Sequence, residues 1–344
     1  MTRTIKQNMD AKQRSVFPTQ SSVLEEDALL RHVVRDYAIA PAKSCRFFDR
    51  GDSDIYRVET AEHFYYLKVY RPPNTKEQAE SEARFVHRLA EADLPVVRPI
   101  PRHDGVYASV AYAGEGARPI LLFEEAPSPL PRTPSENQIL ALGSLVARVH
   151  EIADSEPAPK DIPSFDLETL DKERIPAIRT FATTEEDTAF LADAMASIRP
   201  TIEGIPKTAP EWGLCHADLV LSNARGDAQG VWLFDFGNLA HTYRGFDLSI
   251  VYWSLGHRDR EKRDDLWAAF LDGYTAIRPL PAKLTERLPA FLAMWELAFL
   301  GGNAESLPLR LGTVPFESAF MHDGFDRIRE ILSPADMEEQ AKGN

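Results

Sequence analysis

Two carboxylates and one amide, held at fixed spacing, constrain this chain more than any other feature. Residues 212–238 read WGLCHADLVLSNARGDAQGVWLFDFGN. Asp218 precedes Asn223 by five positions, and Asp235 follows Asp218 by 17. The run Val231-Trp232-Leu233-Phe234 is β-branched and aromatic, and Gly226-Asp227 and Gly230 bound it. That pattern predicts a short strand entered from a turn. Asp235 then stands at the strand end, where a side chain can leave the core and face a cleft. Asp-Phe-Gly alone would fit any solvated loop beside a strand; the joint spacing is the signal. The set suits phosphoryl transfer, which needs a carboxylate beside the attacking hydroxyl and a carboxylate plus an amide oxygen on magnesium.

The 344 residues suffice for one large two-lobed unit or two domains. Hydrophobic residues make up 44%, with 18 Phe and 5 Trp, so a packed core is within reach. The net charge of −14 argues against a nucleic-acid partner, because phosphate backbones need a basic surface. The same field favours cationic small molecules. Two cysteines far apart, Cys45 and Cys215, do not form a disulfide framework, so a reducing cytoplasm is the expected setting. Cys215 adjoins the central segment and reads as a small buried hydrophobe. No apolar run approaches the ~20 residues of a membrane span, and no apolar signal core stands near the N-terminus. A monomer or homodimer is expected.

Residues 1–23 are polar and mixed, and a flexible tail is expected there. Leu24, Ala28, Leu29, Val33 and Tyr37 recur at helical spacing. Residues 46–59 read as two strands joined by Arg50-Gly51-Asp52-Ser53-Asp54. Gly51 would permit an unusual backbone angle there, and Ser53 would offer a hydroxyl and an exposed N–H; a plain hairpin turn fits as well. Residues 63–70 alternate as a strand, with Phe64, Tyr66, Lys68 and Tyr70 on one face. Lys68 is the one charge in that run, and a lysine turned inward needs a carboxylate or a phosphate. Residues 75–92 predict a helix with Glu80, Arg84, His87 and Glu91 on its polar face. Glu82 lies among Ala79, Phe85, Val86 and Leu89 instead, so it requires a cation, and Lys68 is the obvious one.

Leu94–Val97, Gly105–Val110 and Pro119–Glu125 read as the remaining strands of a five-stranded antiparallel sheet. The Pro-rich stretch PSPLPRTPS marks a boundary. Thr133-Pro134-Ser135-Glu136 has the form of a capping box, with proline at the first helical position. The helix after it buries Ile139, Leu142, Val146, Val149 and Ala153, and His150 near its end reads as structural. Helices follow near 166–180 and 184–203. Beyond the central segment, Leu266, Phe270, Tyr274 and Ile277 stripe another helix. Residues 284–303 and 316–333 complete a helical half.

His216-Ala217-Asp218, with Asn223 and then Asp235-Phe236-Gly237, resembles the catalytic segment of kinase-like folds. The chain most resembles the aminoglycoside phosphotransferase and choline kinase superfamily over about residues 30–330. Ala217 in place of arginine favours its small-molecule branch, where glycine is commoner. The segment Ala269–Tyr274 is similar to homoserine kinase-like and stress-response kinase-like members. The resemblance implies an α+β, bilobal protein-kinase-like fold: a nucleotide-binding lobe over 24–126 and a mostly helical lobe over 127–344 with the catalytic loop and acceptor site. It implies ATP and Mg2+ as cofactors and a hydroxyl-bearing small molecule as acceptor: an amino alcohol, a hydroxy amino acid or an aminoglycoside-like compound. Asp218 would be catalytic, and Asn223 and Asp235 would hold the metal. Lys68, paired with Glu82, would meet the phosphates, and the hairpin with Gly51 and Ser53 would cover them. The backbone of Phe123, Glu124 and Glu125 would border the adenine. Asp247 would brace the catalytic loop, although a plain helix N-cap fits too. The phosphate hairpin departs from the pattern by lacking several glycines. A protein Ser/Thr kinase of the stress-response type, a nucleotide-binding regulator without turnover and a helical scaffold are the alternatives.

Overall fold

The computed structural model describes residues 19–155, 159–182, 184–227, 230–310 and 318–333. The tail expected over 1–23 therefore lies mostly outside the described residues; Ser21 and Ser22 hydrogen-bond to Arg50 and Glu115. The first half of the chain gives α1 (Glu26–His32), β1 (Ser44–Arg50), β2 (Asp54–Glu59), β3 (Phe64–Val69) and α2 (Lys76–Glu91). It continues with β4 (Pro99–Ile100), β5 (Ser109–Ala113) and β6 (Gly116–Glu124). The second half contains α3 (Glu136–Asp154), α4 (Leu167–Thr169), which runs through a π turn into α5 (Ile175–Arg179), and α6 (Glu185–Ile202). Then come β7 (Trp212–Cys215), β8 (Ala224–Asp227), β9 (Gly230–Leu233), β10 (Ala240–Tyr243), α7 (Arg244–Arg258), α8 (Arg263–Thr275), α9 (Leu284–Arg310) and α10 (Ser318–Ile331). Among the described residues, no helix is long and apolar enough to cross a membrane.

The N-terminal sheet is antiparallel with order β1-β2-β3-β6-β4, and β5 pairs with the start of β6. Strand alternation decides which residues meet the cleft. Leu67 and Val69 of β3, with Ile120 and Leu122 of β6, join Leu29, Val33 and Tyr37 in a core on one face. Each such aliphatic side chain contributes about 1.5–3 kcal/mol on burial. Lys68 is forced onto the opposite face, which α2 covers. The capping box that opens α2 is closed by Thr75 and Gln78. Ala79 and Ala83 of α2 pack under the sheet, while Phe85, Val86 and Leu89 belong to the core of the helical lobe. The helix thus ties the two lobes together.

Several expectations need correction. The sheet has six strands, because Pro99–Ile100 adds a short one. Leu94–Val97 is not a strand of that sheet: Val97 N–H donates to the Leu233 carbonyl, so this stretch joins the lobes. The strand expected over 105–110 lies at Ser109–Ala113, because a tight turn at Gly114-Glu115 makes it a hairpin with β6. The capping box before α3 is Ser135 with Gln138, and Thr133 instead donates to Asp259. Ile277 falls past the end of α8 and is 39% exposed, whereas Leu266, Phe270 and Tyr274 are buried. Asp247 is no N-cap: Tyr243 holds that position and Asp247 lies inside α7.

Candidate active site

The central segment folds as a strand, a loop and a hairpin. β7 pairs with β10, and β8 pairs with β9. The loop after β7 carries His216, Ala217 and Asp218. Asp247 holds this loop, accepting from the N–H groups of His216 (3.1 Å) and Ala217 (2.8 Å). His150 contacts the same carboxylate at 3.0 Å and Tyr274 at 2.9 Å. Burial holds His150 neutral, well below the usual histidine range. It therefore donates through Nε2 to Asp247 and accepts from the Tyr274 hydroxyl through Nδ1. Burial lifts Asp247 to about 6. Burial also lowers His216 to about 4, so its Nε2–H donates to the Phe234 carbonyl at 3.1 Å. Cys215 is wholly buried, as expected.

Ala217 has φ = +58°, in the left-handed region. Glycine enters that region freely, and a residue with a Cβ does so at a cost of about 1–2 kcal/mol. The two Asp247 hydrogen bonds offset that strain.

Asp218 accepts from Asn223 Nδ2 (3.0 Å) and Asn238 Nδ2 (3.2 Å). Burial, followed by the negative charge of Asp235, raises its pKa to about 7. With its amide nitrogen committed to Asp218, Asn223 has its carbonyl oxygen left for another partner. Asp235 lies in the left-handed region at φ = +61°. Burial opposes its charge, but Lys68 outweighs burial and keeps the carboxyl below the usual range. Lys68 Nζ is 2.5 Å from Asp235 and 3.8 Å from Glu82. Burial works against the ammonium too, yet the two carboxylates leave its pKa raised. Glu82, 3% exposed, meets the Tyr70 hydroxyl at 2.6 Å. The Lys68–Glu82 pairing expected from the sequence is therefore a looser contact than the one Lys68 makes with Asp235. Gly237 leaves room for Lys68, because a Cβ there would collide with Nζ.

The remaining sequence candidates lie further out. Gly51 is not in the left-handed region, and a Cβ there would meet nothing, so this position does not require glycine. Its carbonyl accepts from Arg71 at 2.8 Å. Ser53 is buried, at 8% exposed. It is Asp52, between them, that lines the cavity beside Asp218. Phe123 and Glu124 end β6, Glu124 N–H donates to the Arg98 carbonyl, and Glu125 is exposed. That cavity, about 680 Å³, does not include these three residues. Its walls come from both lobes and include Tyr70, Phe165, Asn238, Trp295 and Phe299. Asn238 was missed in the sequence although it directly follows Asp-Phe-Gly. Tyr70 was placed on the right strand face without a role. Trp295 and Phe299 carry no local signal at all.

The Asp235 carboxylate and the Asn223 carbonyl oxygen are hard oxygen donors of the kind a divalent cation takes, so these two residues could hold one. A carboxylate of near-neutral pKa on a cavity wall, a buried lysine and this donor set define a phosphotransferase of kinase-like architecture. Residues 44–280 match the phosphotransferase enzyme family, and the chain belongs to it. An uncharacterized protein of Deinococcus radiodurans is 32% identical over 91% of this chain and 92% of its own length. Amicoumacin kinase of Bacillus subtilis is 22% identical over 91% of this chain and 94% of its own. Homoserine kinase of Rhizobium meliloti is 25% identical over 77% and 80%. Among solved structures, amicoumacin kinase hAmiN in complex with AMP-PNP, Ca2+ and Ami superposes with a TM-score of 0.76. It covers 92% of this chain and 97% of that one at 17% identity, a likeness of fold.

Proposed function

We propose that this phosphotransferase moves the γ-phosphate of ATP to a hydroxyl of a small molecule, with magnesium. One observation carries the reading: Asp218, its carboxyl raised to about 7, lines the 680 Å³ cavity while it accepts from Asn223 and feels the charge of Asp235. A cavity of that volume suits a small acceptor. Asp218 orients the acceptor hydroxyl and takes its proton as transfer proceeds, a role worth roughly 10²–10⁴ in rate. Asn223 and Asn238 hold that carboxylate in place. Lys68, carried by Asp235 and Glu82, presents a positive charge to the phosphates. Asp235 and Asn223 are the metal ligands, and the bound ion would supply charge neutralisation on the transferring phosphoryl group. The hairpin with Gly51 and Ser53 covers the phosphates, and the backbone of Phe123–Glu125 borders the base. Positioning and electrostatics provide most of the acceleration.

Amicoumacin kinase and homoserine kinase among the relatives support a small hydroxyl compound as acceptor. The hAmiN complex with AMP-PNP and Ca2+ supports ATP and a divalent cation. The test is ATP consumption by the full chain across amino alcohols, hydroxy amino acids and aminoglycosides. At least one acceptor should raise consumption above the water background, and Asp218→Asn should abolish the rise. If no hydroxyl compound does so while MgATP binds, the phosphotransfer reading of the cavity fails.

A further inference from the structure

Arg71 has no part in the transfer chemistry, yet it is 6% exposed and lines the cavity beside Asp52. It stands two residues past the end of β3, the strand that carries Lys68. Its guanidinium reaches back to the hairpin between β1 and β2. Nη1 donates to the Gly51 carbonyl at 2.8 Å, and Nη2 donates to Asp54 at 2.6 Å. Asp54 is wholly buried, and its other carboxylate oxygen accepts from Arg118 at 2.8 Å. Arg118, also wholly buried, donates in turn to the carbonyls of Val69 and Tyr70. It thereby fixes the stretch from which Arg71 springs. Glu115 accepts from Arg118 at 2.9 Å. Arg50, at the start of the turn, approaches Asp54 at 3.5 Å and bonds to Ser21.

One buried carboxylate thus gathers three arginines around a single turn. A buried charge must be met, and Arg118 already meets this one. Arg71 is the member with a second task, because the other arm of its fork holds the carbonyl of the turn. A planar guanidinium can serve two acceptors at a fixed separation, whereas an ammonium is a point charge. The tip of the turn matters for where it stands. Asp52, between Gly51 and Ser53, shares the cavity wall with Asp218 and Gly237. The hairpin has one glycine, and that glycine is not in the left-handed region. Backbone freedom therefore does not shape this tip, and Arg71 is the side chain that grips it.

We infer that Arg71 is the positioning residue of this hairpin, holding the Gly51-Asp52-Ser53 tip where it meets the phosphates. The inference rests on the reading above that the hairpin covers them. A tip held in advance loses less conformational freedom when a ligand arrives, so the gain falls on phosphate-bearing ligands. Lys68 supplies charge to the phosphates; Arg71, with both arms engaged, supplies order.

Hydrogen exchange and binding on the full chain test this in wild type, Arg71→Lys and Arg71→Gln. Lysine keeps a charge beside Asp54 but cannot hold the Gly51 carbonyl as well. In Arg71→Lys, peptides covering residues 47–55 should exchange several-fold faster, and peptides from α3 should exchange as in wild type. Magnesium tripolyphosphate and MgATP should each bind about fivefold more weakly. Arg71→Gln should give the same pair of readings and serves if the lysine variant fails to fold. Unchanged exchange in the hairpin, or an acceleration shared equally by α3, would overturn the positioning role. So would a faster hairpin with phosphate affinity intact. Wild type binding neither ligand would instead refute the nucleotide reading beneath it.

Discussion

Replacing Asp218 with asparagine should make the protein more stable and nearly inactive. The carboxyl is held at about 7 by burial and by Asp235. An unfolded aspartate titrates near 4, so the shift corresponds to at most about 4 kcal/mol. Asp218 lines an open cavity, and water there screens part of this; about 2 kcal/mol is the expected cost. Below about pH 4 the group is protonated in folded and unfolded chains alike, and nothing is lost. Between about pH 4 and 7 the unfolded chain has released the proton that the folded chain keeps. Wild-type stability therefore falls as pH rises through that window and levels off above it. Asparagine does not titrate, and its oxygen can still accept from Asn223 and Asn238. Urea denaturation of both proteins at pH 5 and pH 8 reads the effect. The advantage of the variant should be about 1–2 kcal/mol larger at pH 8. An equal difference at both pH values would show that Asp218 is not the strained carboxylate. Turnover of the variant should drop roughly 10²–10⁴-fold, with MgATP affinity changed less than about threefold. Wild-type activity should rise with pH through about 7.

ATP affinity should depend on magnesium in wild type and lose that dependence in Asp235→Ala; nucleotide titrations with and without the ion decide it. Lys68 and Glu82 should couple by only about 1 kcal/mol in a double-mutant cycle, because Tyr70 also holds Glu82 and Asp235 is nearer to the lysine; strict additivity of the denaturation free energies would mean that the 3.8 Å contact is energetically empty. Ala217→Gly should stabilise the protein by about 0.5 kcal/mol, the relief at φ = +58° exceeding the added freedom of the unfolded chain. A thermal melt showing a loss would count against that strain.

Much of the proposed site could be read locally, because its signals are local. The spacing of Asp218, Asn223 and Asp235 survives as geometry because a loop and a two-strand hairpin carry all three. The alternation of β3 put Lys68 on the face opposite Leu67 and Val69, and a glutamate on the apolar stripe of α2 had to find a cation. Strands with weak alternation were not legible: Ser109–Ala113 and Pro99–Ile100 are strands only because β6 offers them an edge.

Residue types and intervals thus determined by themselves the spacing of Asp218, Asn223 and Asp235, the strand face of Lys68 and the helix that carries Glu82. Tertiary structure alone decided that Lys68 leans on Asp235 more than on Glu82, and that Asp247 clamps the loop through two N–H groups. It alone brought Trp295 and Phe299, some 80 residues from Asp218 in the chain, to the wall of the same cavity. The physical reason is range. Strand and helix periodicity act between neighbours in sequence, whereas desolvation and the field of nearby charges depend on distances that only the packed lobes set.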